Sequence, residues 1–101
     1  MDFRIDIRAE REGSVPSDFL KRLAILYGTR PGELQTDRDF GISRDMVDKN
    51  PPIAQAMLRK EIILKTLRYE PMVRILDVRF SVDNLNGILN CTVVIEIVDD
   101  T

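Results

Sequence analysis

The sequence contains no histidine and no tryptophan, a single cysteine, and few aromatic residues of any kind. Without histidine there is no Ser-His or Cys-His nucleophile and no imidazole general base. A lone cysteine cannot replace an imidazole set, so the usual transition-metal sites are excluded, and so is an internal disulfide. Cys91 lies in an apolar alternating stretch and reads as a small buried hydrophobe rather than a reactive thiol. No apolar run reaches the ~18 residues of a membrane span. Charge of one sign is also missing: 15 basic and 17 acidic residues leave a net charge of −2. That balance gives no electrostatic basis for binding nucleic acid or an anionic membrane. Glycine-rich phosphate loops are absent, since Gly28, Gly32 and Gly41 fit neither GxxxxGK nor GxGxxG.

What is present is a globular composition, 44 % hydrophobic and 32 % charged, in 101 residues. That length favours one domain over 1–101, large enough for a core but too small to hide all its apolar surface. The opening stretch alternates Phe3, Ile5 and Ile7 with Asp2, Arg4, Asp6 and Arg8, the period of a half-buried strand and not of a signal peptide. A cytosolic product is the expectation. The charges on its outer side suit an edge strand.

After a polar break over 10–14, Ser17 reads as the N-cap of a helix over 18–27. Phe19, Leu20, Leu23, Ala24 and Tyr27 recur at helical spacing, and Gly28 follows as a natural stop. Residues 29–41 form a turn or short hairpin: Pro31-Gly32 favours a type II turn, and Phe40-Gly41 closes the segment. Ser43 is placed to cap a short helix over 44–49. Asn50-Pro51-Pro52 is a strong helix start, and the helix should run from about Pro52 to Arg68 before Pro71.

At ~100° per residue, that long helix carries two apolar patches. One is wide: Ile53, Ala56, Met57, Ile63, Leu64 and Leu67, with Lys60 inside it and able to snorkel outward. The other is Ala54, Leu58 and Ile62. Glu61 and Lys65 form an i, i+4 pair between them. Two patches imply cover on two sides, once by the domain's own sheet and once by either the 18–27 helix or another chain.

Residues 73–82 place Leu76, Val78, Phe80 and Val82 on one side and Asp77, Arg79 and Ser81 on the other. Asp83-Asn84-Leu85-Asn86-Gly87 supplies a hairpin turn. Leu89, Cys91, Val93, Ile95 and Ile97 then alternate with Asn90, Thr92, Val94 and Glu96, and Asp99-Asp100-Thr101 is a polar end. The expected order is β-α-turn-α-α-β-β, an α+β domain with helices on one face of a small antiparallel sheet.

Carboxylates are the only catalytic groups left by type. Glu33, Asp37, Asp39 and Glu70 are candidates, yet nothing in their spacing pairs them across a sugar. Tyr69-Glu70-Pro71-Met72-Val73-Arg74 sits at the junction of the long helix and the first hairpin strand. Glu70 and Arg74 there are either an internal salt bridge fixing a corner or exposed groups offered to a partner. The sequence leaves both open.

Thr29-Arg30-Pro31-Gly32-Glu33 followed by Asp39-Phe40-Gly41 resembles the T-x-x-G-E … F-G segment of the tailed-phage baseplate wedge, or sheath-initiator, proteins. Tyr69-Glu70-Pro71 is similar to that family's Glu-Pro-Arg motif, at the same place before the final hairpin. The likeness spans roughly residues 17–98. The family includes the corresponding subunits of type VI secretion systems and phage-tail-like bacteriocins, and has also been called lysozyme-like.

The resemblance implies a non-enzymatic structural part without cofactors. It would be made in the bacterial cytoplasm, alone as a monomer or weak oligomer, and built in several copies into a baseplate. Its implied partners are baseplate wedge proteins and the tail sheath protein, which assembles on it by strand addition. Implied contact residues are Gly32, Glu33, Phe40, Gly41, Glu70 and Pro71. The family's arginine falls on Met72 here, and Arg74, two residues on along an extended chain, is the candidate replacement. Free edges for strand addition are expected in residues 2–8 and 89–98, at the two chain ends. Two other functions are carried alongside: a peptidoglycan-cleaving enzyme using Glu33 or Glu70, and a regulatory module of the same fold that captures another protein.

Overall fold

Strand β3 (Ile88–Ile97) takes the centre of a three-stranded sheet in the computed structural model of the chain, which describes residues 2–34 and 36–98. Its neighbours are β1 (Asp2–Ala9) and β2 (Val73–Asp83). β2 pairs with β3 antiparallel, whereas β1 pairs with β3 parallel, Phe3 opposite Leu89 and Ile7 opposite Val93. The sheet is therefore mixed, not antiparallel as the sequence suggests. Alternation of apolar and charged residues marks a half-buried strand in either direction; the direction follows from the long crossover through both helices.

Helices α1 (Ser17–Gly28) and α2 (Pro51–Tyr69) are the only α-helices among the described residues. The expected short helix over 44–49 is a single 3-10 turn at Asp45–Asp48, with the Ser43 hydroxyl accepting the Asp45 N–H at 3.2 Å. Among the described residues of 29–41 there are turns and no strand, so the structure shows the turn and not the hairpin alternative there. The polar end at 99–101 lies outside the described residues.

The start of α2 follows its sequence closely. Asn50 accepts the Ile53 N–H at 3.2 Å, and Pro51 occupies the first turn, where no N–H partner is lost. The start of α1 does not. Ser17 is already helical and makes no side-chain cap; the Pro16 carbonyl accepts the Phe19 N–H instead. Gly28 does not end α1 through a left-handed conformation either. Thr29 ends it by turning extended, its hydroxyl donating to the Ile25 carbonyl at 2.6 Å.

The core lies between one face of the sheet and the two helices. β3 contributes Leu89, Cys91, Val93 and Ile95, α1 contributes Leu23, Leu26 and Tyr27, and α2 contributes Ala54, Leu58 and Ile62. Leu26 takes the inward place expected of Ala24, which is exposed. A bulge between Ile75 and Asp77 resets β2. Val73 and Val78 are an odd number of residues apart, so they share the buried face only because Leu76 is extra. Leu76 therefore does not join Val78, Phe80 and Val82 inside; it is 37 % exposed.

The larger correction concerns α2. Its narrow patch, extended by Thr66, is the one buried in the core. The wide patch faces outward: Ile53, Ile63, Leu64 and Leu67 are 42–65 % exposed. Met57 is partly buried, and Lys60 lies exposed on that outer face.

Candidate functional site

The candidate site is built where α2 ends. Glu70 closes the helix with its N–H on the Thr66 carbonyl at 2.8 Å. Pro71 forces the residue before it out of helical geometry, and the chain turns into β2. The Glu70 carbonyl accepts the Val73 N–H at 3.0 Å, and the Met72 carbonyl accepts the Val98 N–H at 2.8 Å. The corner is thereby tied to the far end of β3.

Glu70 and Arg74 do not pair. The Nε–H of Arg22, one helix away on α1, is shared between both Glu70 carboxylate oxygens at 3.1 Å. Only 14 % of the Glu70 side chain is exposed. Arg74 sits 3.6 Å from Glu96 with most of its side chain in solvent. Glu70 is thus a structural group, while Arg74 and the exposed Met72 remain accessible. Val73 is buried between them, so Met72 and Arg74 share the outward side of the extended chain.

The 29–41 loop reaches this corner through its second half. Phe40 packs edge-to-face on Tyr69 at 5.1 Å between centroids, and Tyr69 donates its hydroxyl to Asp37 Oδ1 at 2.9 Å. Arg68 pairs with Asp39 at 3.2 Å, and Lys65 donates to the Asp39 carbonyl. The Tyr69 hydrogen bond, followed by the backbone N–H of Asp39 and the charge of Arg68, holds the Asp37 carboxyl below its ordinary range. Burial and the Asp37 hydrogen bond push the Tyr69 hydroxyl upward.

Gly41 is the tightest point of the loop. Its φ is +119°, and an added Cβ would lie 2.3 Å from the Thr29 carbonyl oxygen. That carbonyl accepts the Ile42 N–H at 2.8 Å, so it cannot move freely. Gly32, at φ +94°, forms the expected Pro-Gly turn, with the Arg30 carbonyl accepting the Glu33 N–H at 3.1 Å. The structure therefore brings Phe40 and Gly41 into the fabric behind the Tyr69-Glu70 corner. Gly32 and Glu33 stay on the exposed outer turn.

Beside the corner lies an open groove of about 300 Å³ between α2 and β2. Ile63 and Leu67 form one wall, Ile75 and Val98 the other, and Pro71 with Arg74 closes an end. Ile63 also borders a shallower, more polar surface running along α2 past Ala56, Arg59 and Lys60. The sequence shows the wide apolar face of α2 but not that it lies outside. It does not show the Arg22–Glu70 or Tyr69–Asp37 contacts either. One signal was available: Asp37 and Asp39 in the loop match Lys65 and Arg68 on the last turns of α2.

Among the described residues no group of three or more metal-ligating side chains occurs, and no helix is long and apolar enough to cross a membrane. In comparisons with known proteins, no family model matches the chain and no curated protein matches its sequence.

Proposed function

We propose that the chain is a structural component of the baseplate of a contractile phage tail or phage-tail-like particle, docking on wedge proteins and initiating sheath assembly by strand addition. The observation that carries this reading is the convergence of its two motif segments. Phe40 of the 29–41 loop packs on Tyr69 of the Tyr69-Glu70-Pro71 corner, and an apolar groove opens beside them.

Each part has a distinct task. Arg22 fixes Glu70, and Glu70 fixes the direction in which Pro71, Met72 and Arg74 leave the helix. Met72 and Arg74, exposed on one side, meet the wedge partner, Arg74 supplying the guanidinium that Met72 lacks. Ile63, Leu64 and Leu67 provide the apolar part of that contact. Strand addition uses the sheet edges. β3 is central, so the free edges are β1 and β2, and not residues 89–98.

Co-purification with wedge and sheath subunits from the same gene cluster, if the cluster carries them, tests this reading. The intact chain binds at least one of them, and Arg74→Glu weakens wedge binding while the domain stays folded. Association with neither subunit refutes it.

A further inference from the structure

We propose that the exposed edge of β1 pairs antiparallel with the β1 edge of a second copy of this chain, joining two domains into one six-stranded sheet. The edge is open and its hydrogen-bonding groups are in phase for this. The Asp2 and Glu10 N–H groups donate to Gly87 and Ile95, both at 3.0 Å. Main-chain groups alternate between the two sides of a strand. Even-numbered residues therefore face β3, and Phe3, Ile5, Ile7 and Ala9 turn their N–H and C=O outward.

The charges choose both partner and register. With Ile5 opposite Ile5 of the second copy, Phe3 lies opposite Ile7, and these residues carry the outward main-chain groups. Every charged residue then meets its opposite: Asp2 faces Arg8, and Arg4 faces Asp6. A slip of one rung in either direction sets Arg against Arg and Asp against Asp. Parallel pairing in register does the same at every rung. Charged pairs in the chosen register occupy the non-hydrogen-bonded rungs, where side chains approach most closely.

The side chains of Arg4, Asp6 and Arg8 are exposed and make no hydrogen bond or ion pair with the described residues of their own chain, so they are free for this use. On β2, by contrast, Asp77 and Arg79 already pair at 2.8 Å, and Arg59 donates to the Val78 carbonyl. The other face of β1 agrees. Phe3, Ile5 and Ile7 are only half-buried, and pairing sets them beside the same three residues of the second copy. One local latch must open: Asp2 Oδ1 holds the Phe3 N–H at 2.8 Å and Arg44 at 2.9 Å. In the dimer the Phe3 N–H moves to the Ile7 carbonyl opposite, and Asp2 to Arg8. Within the proposed baseplate role, this pairing covers the edge until an incoming strand displaces it. The test needs only the purified chain, so it stands or falls separately from that role.

Sedimentation equilibrium of the purified chain at low salt reads the outcome. The intact chain forms a dimer whose dissociation constant rises with salt. Arg4→Asp and Asp6→Arg each place like charges opposite and weaken the dimer about tenfold or more. The double variant Arg4→Asp/Asp6→Arg regains it, and an equimolar mixture of the two single variants forms a heterodimer. A monomeric intact chain at millimolar concentration overturns the proposal. So does a salt-independent dimer, or a mixture that fails to associate. Should a charge reversal disturb folding, Arg4→Gln and Asp6→Asn give the same comparison, each weakening the dimer; an unchanged dimer in both overturns the proposal.

Discussion

Arg22 and Glu70 join α1 to the end of α2, with one guanidinium N–H held between two carboxylate oxygens at 3.1 Å. The contact fixes the corner that the sequence assigns ambiguously to Glu70 and Arg74. Removing the arginine leaves a mostly buried carboxylate without its partner, so Arg22→Ala should cost about 1–2 kcal/mol in a urea titration. Arg74→Ala, at an exposed pair, should change stability by less than about 0.5 kcal/mol. The reverse order would place the structural partner of Glu70 at Arg74.

Gly41 tolerates no side chain. An alanine there combines a positive φ with a 2.3 Å approach to the Thr29 carbonyl oxygen. Gly41→Ala should destabilise by more than about 2 kcal/mol. Gly32→Ala meets nothing within 4 Å and carries only the conformational cost, about 1 kcal/mol. Denaturant midpoints of the two variants separate the cases.

Those two glycines also show how far the sequence could be read. Pro31-Gly32 is a local turn, legible because its φ requirement is local. The constraint on Gly41 comes from Thr29, which reaches it only once the loop has closed. The same division runs through the fold. The Asn50-Pro51 helix start and the β2–β3 hairpin depend on neighbouring residues and were visible. The parallel direction of β1 depends on the chain's path and was not. For α2, the helix and both patches were readable, but a helical wheel ranks faces by composition, not by which one reaches the sheet. Ala54, Leu58, Ile62 and Thr66 take that place, and Thr66, the polar member, has a partner inside.

That partner is Tyr27. Its hydroxyl lies 2.6 Å from the Thr66 hydroxyl in the core. Thr66→Val strands the phenol and should cost about 1–3 kcal/mol, and the double variant Tyr27→Phe/Thr66→Val should recover part of it. A double-variant cycle showing no coupling would contradict the contact.

Burial pushes the Tyr27 hydroxyl from 10.0 to about 12 and the Cys91 thiol from 9.0 to about 12. Both groups hold protons in the fold that the unfolded chain has lost. Their stabilising contribution is full below the unfolded values and disappears as pH rises toward 12. Stability should fall from about pH 9 upward. In Tyr27→Phe the decline above pH 10 should be shallower, as read by urea unfolding at fixed ionic strength.

Asp37 has the opposite sign. Its carboxyl is held below the ordinary 3.8, chiefly by the Tyr69 hydroxyl. The contribution is present above that value and is lost as pH falls through the lowered one. Tyr69→Phe removes the main cause. Its acid decline below pH 3.8 should therefore be shallower than that of the intact chain. Equal slopes would show that the hydrogen bond does not set the Asp37 ionisation.

The outward face of α2 bears on the proposed role most directly. Leu67 is 65 % exposed and lines the groove that Arg74 closes. The decisive measurement is calorimetric titration of baseplate wedge proteins of contractile tails, the partners the proposed role requires, with the intact chain and with the folded double variant Leu67→Glu/Arg74→Glu. The prediction is measurable binding by the intact chain and a loss of about tenfold or more in the variant, with its unfolding midpoint little changed. Equal binding by both, or none by the intact chain, would contradict docking at this corner.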